Sequence, residues 1–134
     1  MPITILRLGS TRSPDEGLRL GTVRRPPRGV PKADFAKRDF YDVWLPNLSP
    51  SEPRLKRALA SQDPHSENPD RAWKAFERKF RAQMSQHDAA HLLDLLAALS
   101  HGTNFSLGCY CADEKRCHRS ILRKLLAERG AKFS

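Results

Sequence analysis

The sequence predicts an α/β protein, a single domain over residues 1–134 folded as a sandwich around a mostly parallel sheet. Three observations predict it. Short β-branched and aliphatic runs are mixed with longer segments of helical periodicity. The last apolar run, Phe105 to Cys111, feeds directly into an amphipathic segment, as a strand feeds a helix in a parallel sheet. The chain of 134 residues, 39% hydrophobic and 29% charged, suits one soluble core.

Each element has a local reason. Ile3 to Leu8 is β-branched and aliphatic and is closed by Gly9, so it reads as the first strand. Leu18 to Arg24 alternates as a second strand. The following RRPPRGVPK, Arg24 to Lys32, carries three prolines and a glycine and is a basic loop. Phe35 to Asp39 fits a helical turn, and Tyr41 to Leu45 a short strand ended by Pro46. Ser49 with Glu52 spells a capping box that opens a helix through about Leu59. After the polar loop SQDPHSENPD, Asn68-Pro69 starts a helix whose Trp73, Phe76, Phe80 and Met84 share one face. Ser85 to Asp88 resembles another capping box, ahead of a helix whose Leu92, Leu93, Leu95, Leu96 and Leu99 are expected to pack. That helix stops near Gly102. Ile121, Leu122, Leu125 and Leu126 make the buried face of the last helix, which Gly130 caps.

Composition removes some functions. No apolar run approaches the ~20 residues of a membrane span, and Ala89 to Leu99, the longest, contains Asp94. The N-terminal MPITILRLGSTRS lacks a cleavage-site pattern, and three cysteines within nine positions do not form a secreted disulfide framework. Reduced thiols in the cytoplasm are expected. The net charge of +9 favours an anionic partner, a small molecule, a phosphate or a nucleic acid. The charge is spread along the chain, with no run of five like charges.

Chemistry concentrates in SLGCYCADEKRCHRSILRKLL, Ser106 to Leu126. Cys109 and Cys111 are two apart on a strand and share a face. Cys117, His118 and Arg119 fall in the first turn of the next helix, where free N–H groups and the helix dipole gather negative charge. Ligands of parallel sheets bind beyond the strands' carboxyl ends, where this stretch lies. Four readings follow. A metal would take Cys109, Cys111, Cys117 and His118, but the spacing is not that of paired structural ligands. Cys117 and His118 would also diverge by about 100° on a helix, so no metal or other cofactor is expected. A reactive thiol would be Cys117 at the helix start beside arginines, with Cys111 across the turn and His118 as acid or base. Asp113 could cap the helix or orient the histidine. An anion cradle would use Arg116 and Arg119 together with Arg24 and Arg28 from the basic loop. Under the fourth reading the stretch is only a strand running into a helix, with Cys109 a small core residue.

The stretch CADEKRCHRSIL resembles the signature of the domain-of-unknown-function family 488 (DUF488), matched here at Cys109, Cys111, Asp113, Cys117, His118 and Arg119. Arg24 with PRGVPK, Trp44, LSPSEPRLK (Leu48 to Lys56) and AWKAFERKF (Ala72 to Phe80) resemble its YeaO-like branch. Val23 and Pro26 stand where that branch carries an aspartate and an aromatic, and the branch tends to lack Cys-His-Arg. The resemblance implies a Rossmann-like three-layer fold and no established reaction.

Two function classes remain. One is an enzyme or small-molecule-binding protein whose pocket lies between the Arg24–Lys32 loop and the Cys111–Arg119 turn. The other is a basic nucleic-acid-associated protein binding phosphates through Arg24–Lys32, Arg71–Arg81 and Lys115–Arg129, without sequence specificity.

Overall fold

The strand at the centre of the sheet is the one that ends in the cysteines. In a computed structural model describing residues 3–51, 68–111 and 113–134, β4 (Phe105–Cys109) is buried at every position. It lies between β1 (Ile3–Arg7) and β2 (Leu18–Gly21), and β3 (Val43–Trp44) adds to β2. The order is β1-β4-β2-β3, and all pairs are parallel. Register aligns Leu6, Gly108 and Gly21 across the sheet, so three carboxyl ends finish at one edge. The fold is α/β and Rossmann-like, as expected. Among the described residues no helix is long and apolar enough to cross a membrane.

Among the described residues there are three α-helices: α1 (Pro69–Met84), α2 (His87–Leu99) and α3 (His118–Glu128). They pack on the face that presents Ile3, Ile5, Leu20, Phe105 and Leu107. Phe76, Phe80 and Met84 of α1 are fully enclosed there, with Trp73 at the margin, so the aromatic stripe is core. Each such side chain contributes about 1.5–3 kcal/mol by leaving water. Asn68 caps α1 by accepting from the Arg71 N–H at 3.0 Å, with Pro69 in the first turn. At the far end of α3, Gly130 takes φ +78°, which lets the Gly130 and Ala131 N–H groups close on Ala127 O and Leu126 O.

The opposite face is covered, among the described residues, by the segment from Phe35 to Tyr41, which packs on Leu6, Leu8 and Val23. Close approach requires a small residue beneath it: a Cβ at Gly21 would sit 2.4 Å from the Tyr41 ring. Beside it, Arg19 is fully buried. Its guanidinium donates to Glu16 Oε1 at 2.5 Å and to the Asp39 carbonyl at 2.5 Å. Asp42 accepts the Arg19 backbone N–H at 2.8 Å and a two-pronged bond from Arg12 at 2.9 and 3.0 Å. Burial raises the Glu16 and Asp42 carboxyls, but the hydrogen bonds from Arg19 and Arg12 bring both below their ordinary values.

Several expectations need adjustment. The strands are shorter: β2 stops at Gly21, β3 is Val43–Trp44 and β4 stops at Cys109, because the chain leaves the sheet where its edge becomes the site. The Ser85–Asp88 box does not form. Only two residues separate α1 and α2, and the Ser85 hydroxyl donates back to Ala82 O at 2.7 Å inside the last turn of α1. Leu95 and Leu99 are exposed at 54% and 43%, since the 3.6-residue period turns Ala89, Leu93, Leu96 and Ala97 inward instead. The helix from Ser49 to Leu59 lies largely outside the described residues.

Removing one partner of the buried Arg19–Glu16 pair leaves an uncompensated charge. Arg19→Ala is expected to lower the unfolding free energy in urea by about 3–5 kcal/mol. The double variant with Glu16→Gln should recover part of that loss.

Candidate functional site

Thiol, imidazole and guanidinium groups meet at the carboxyl edge of β4. Cys117 is not inside the helix. It is the N-cap of α3, with extended backbone (φ −121°, ψ 152°), and His118 is the first helical residue. The 100° divergence expected of helical neighbours therefore does not apply. Cys117 Sγ lies 3.4 Å from Cys109 Sγ and 3.5 Å from His118 Nδ1. All three residues are buried.

Arg119 closes the cluster from the other side and is 2% exposed. Its Nε donates to Cys117 Sγ at 3.4 Å, one terminal nitrogen to Leu6 O at 2.5 Å, and the other to Cys111 O at 2.6 Å. It thus ties β1, the end of β4 and the start of α3 together. Among the described residues no carboxylate pairs with it. A buried guanidinium without a counter-ion costs several kcal/mol, so the thiol facing it is favoured as thiolate. Cys117 is accordingly pulled well below the ordinary thiol range. Hydrogen bonds from the Cys109 and Cys111 thiols do most of this, with help from Arg119 and against the effect of burial. Cys109 is pushed far up by its bonds to Cys111 and Cys117, which keep its proton in place.

His118 is held from both ends. Its Nε2 lies 2.6 Å from the Thr22 carbonyl and 3.1 Å from the Thr22 hydroxyl, which itself donates to Gly108 O at 3.0 Å. A carbonyl only accepts, so Nε2 carries the hydrogen and Nδ1 turns its lone pair toward Cys117. Phe80 packs edge-on against the ring at 5.6 Å. Burial pushes the imidazole pKa down to about 4, against the raising effect of the Thr22 bond.

A cavity of about 250 Å³ opens on this edge. Cys109, Cys111 and His118 line it, and Val23, Arg24, Arg25, Pro50 and Tyr110 complete it. Of the cysteines, half-buried Cys111 and buried Cys109 line the cavity and Cys117 does not. Arg24 is fixed at the rim by bonds to Ser49 O and Pro50 O at 3.0 and 3.2 Å. Arg28 lines a separate hollow with Phe40 and Tyr110. Arg116 is placed elsewhere again, paired with Asp70 and lying over the Trp73 ring at 5.8 Å. Asp113 caps the single turn Glu114–Arg116 by accepting from Lys115 N at 2.9 Å. The structure thus brings Cys109, Cys111, Cys117, His118, Arg119 and Arg24 together, and sets Arg28 and Arg116 apart. Thr22 escaped the sequence reading. Its only signal was its place just past β2, at the same sheet edge.

Residues 3–130 match a family model described as the active DUF488-N3 subclade. The chain belongs to the DUF488 family. No curated protein and no solved structure matches it. In this DUF488 chain the family match spans every described strand and helix, and the Cys109–Arg119 stretch sits on the central strand and the helix that follows it.

A histidine buried in its neutral form makes folding sensitive to acid. Its folded pKa, about 4, lies below the unfolded value of about 6.5, so the unfolded chain binds the proton first. The His118 contribution to stability is fully present above about pH 6.5 and is lost as pH falls toward 4. Urea unfolding across that range should show this slope in the wild type and a shallower one in His118→Asn.

Proposed function

We propose that this chain acts on a small anionic substrate through a cysteine thiolate shared between Cys111 and Cys117. The observation that supports the reading most is the placement of Cys117 Sγ. It sits at a helix N-cap with the Arg119 guanidinium at 3.4 Å and two thiols as further donors. Thiolates, not thiols, are nucleophiles, and helix starts beside arginines are where they form. Cys111 lines the cavity and its thiol favours the Cys117 thiolate, so passing its proton inward leaves the thiolate at the cavity. His118, held neutral by burial, turns an unprotonated Nδ1 toward Cys117 at 3.5 Å and so supplies no proton that would quench the thiolate. Arg24 and Arg25 at the cavity wall suit an anionic group.

The nucleic-acid reading draws less support. Arg81, Arg116, Arg123, Lys124 and Arg129 are already engaged with carboxylates. Four of the six lysines and arginines of Lys115–Arg129 are therefore matched within the chain, and so is Arg81 of Arg71–Arg81.

Iodoacetamide labelling at neutral pH, mapped by mass spectrometry, tests the proposal. Cys111 should be modified first. The rate should fall about tenfold or more in Cys117→Ser, since a thiol of ordinary pKa near 8.5 is only a few per cent ionised at pH 7. Equal slow labelling of all three cysteines would count against it.

A further inference from the structure

We infer that the four side chains at the carboxyl edge of β4 also form a tetrahedral site for one thiophilic metal ion of the Zn²⁺ type. Cys109, Cys117 and His118 would supply three ligands and Cys111 the fourth. The ligand atoms of the first three lie within 4.8 Å of one another, and all three residues are buried. A tetrahedral ion with bonds of about 2.3 Å to sulfur and 2.0–2.1 Å to nitrogen places its ligands roughly 3.5–3.8 Å apart. The Sγ–Sγ separation of 3.4 Å and the Sγ–Nδ1 separation of 3.5 Å come within a few tenths of an ångström of those edges.

Orientation points the same way. A metal-bound histidine characteristically donates its other N–H to a carbonyl or carboxylate, which fixes the ring. His118 does this through Nε2 to Thr22 O at 2.6 Å, leaving Nδ1 aimed at the sulfurs. Cys111 is the third thiol at this edge: its backbone N–H donates to Cys109 Sγ at 3.4 Å, and its side chain, outside the 4.8 Å cluster, would turn inward from the cavity lining to close the fourth position. Charge agrees as well: three thiolates balance a divalent ion together with the buried Arg119 guanidinium. The cavity beside Cys111 offers an entry path. The thiols of Cys109, Cys111 and Cys117 would each release a proton as the metal–sulfur bonds form, with no change of oxidation state.

The consequence for function rests on the thiolate reading above: an ion held here would engage Cys111 and Cys117 and silence them as nucleophiles. The metal site itself does not depend on that reading. The experiment titrates the reduced full-length protein with Zn²⁺ against a chromophoric chelator, and with Co²⁺ followed by absorption. The expected result is one ion per chain, with a thiolate-to-cobalt charge-transfer band and tetrahedral ligand-field bands. Cys109→Ser should weaken binding by about 100-fold or more, beyond what losing an outer-shell partner costs. Cys111→Ser, nearer the surface, should keep the fold by circular dichroism and weaken binding at least tenfold. Zn²⁺ should block iodoacetamide labelling, and EDTA should restore it. Binding of Co²⁺ without the charge-transfer band, or with equal affinity in Cys111→Ser, would overturn the site. Retained selective labelling of metal-free protein with no metal binding would refute the metal site and leave the thiolate reading standing. Metal binding with unselective labelling of the metal-free form would do the reverse.

Discussion

The interaction on which the site depends is the contact between the Arg119 guanidinium and the Cys117 sulfur. Arg119 is buried with two backbone carbonyls and one sulfur as partners. Carbonyls satisfy its hydrogens but do not cancel its charge. Only an anion does that, and Cys117 is the group in position. The same guanidinium holds Leu6 O and Cys111 O, so the charge that favours a thiolate also fastens the edge of the sheet to the helix start.

Topology puts these groups in reach. With β4 central and parallel to both neighbours, the chain leaves β1, β2 and β4 at one edge. Leu6, Thr22 and Cys109, far apart in sequence, converge there. Gly108 keeps the middle of the edge thin: a Cβ at that position would lie 2.4 Å from the Leu8 side chain. Phe80, from the aromatic stripe of α1, closes the site toward the core, so the imidazole titrates in an apolar surrounding rather than in water.

Much of the fold could be read from the sequence because its signals are local. The β-branched run of β1, the Asn68-Pro69 helix start, the aromatic stripe of α1 and Gly130 at the end of α3 each follow from residues within a few positions. Strand ends and the exposed Leu95 and Leu99 could not be read that way. They depend on which side of an element meets a neighbour. The site divides along the same line. The strand-to-helix stretch drew attention through its composition, but neighbouring Cys117 and His118 converge only because the first stays extended as a cap. Local reading assigned both to a helix. Arg119 offered no hint that it turns inward, since an arginine at a helix start looks like a surface anion ligand. Thr22 gave no sign at all, because a threonine after a strand is ordinary until the sheet order places it under His118.

The most direct measurement is the ultraviolet thiolate absorbance of metal-free folded protein, followed from acid to mildly alkaline pH in the wild type and in Arg119→Met. The account predicts one thiolate that persists into the acid range in the wild type and titrates at clearly higher pH once the guanidinium is gone. Absorbance that rises only near the ordinary thiol pKa of about 8.5 in the wild type, or that is unchanged in the variant, would contradict it.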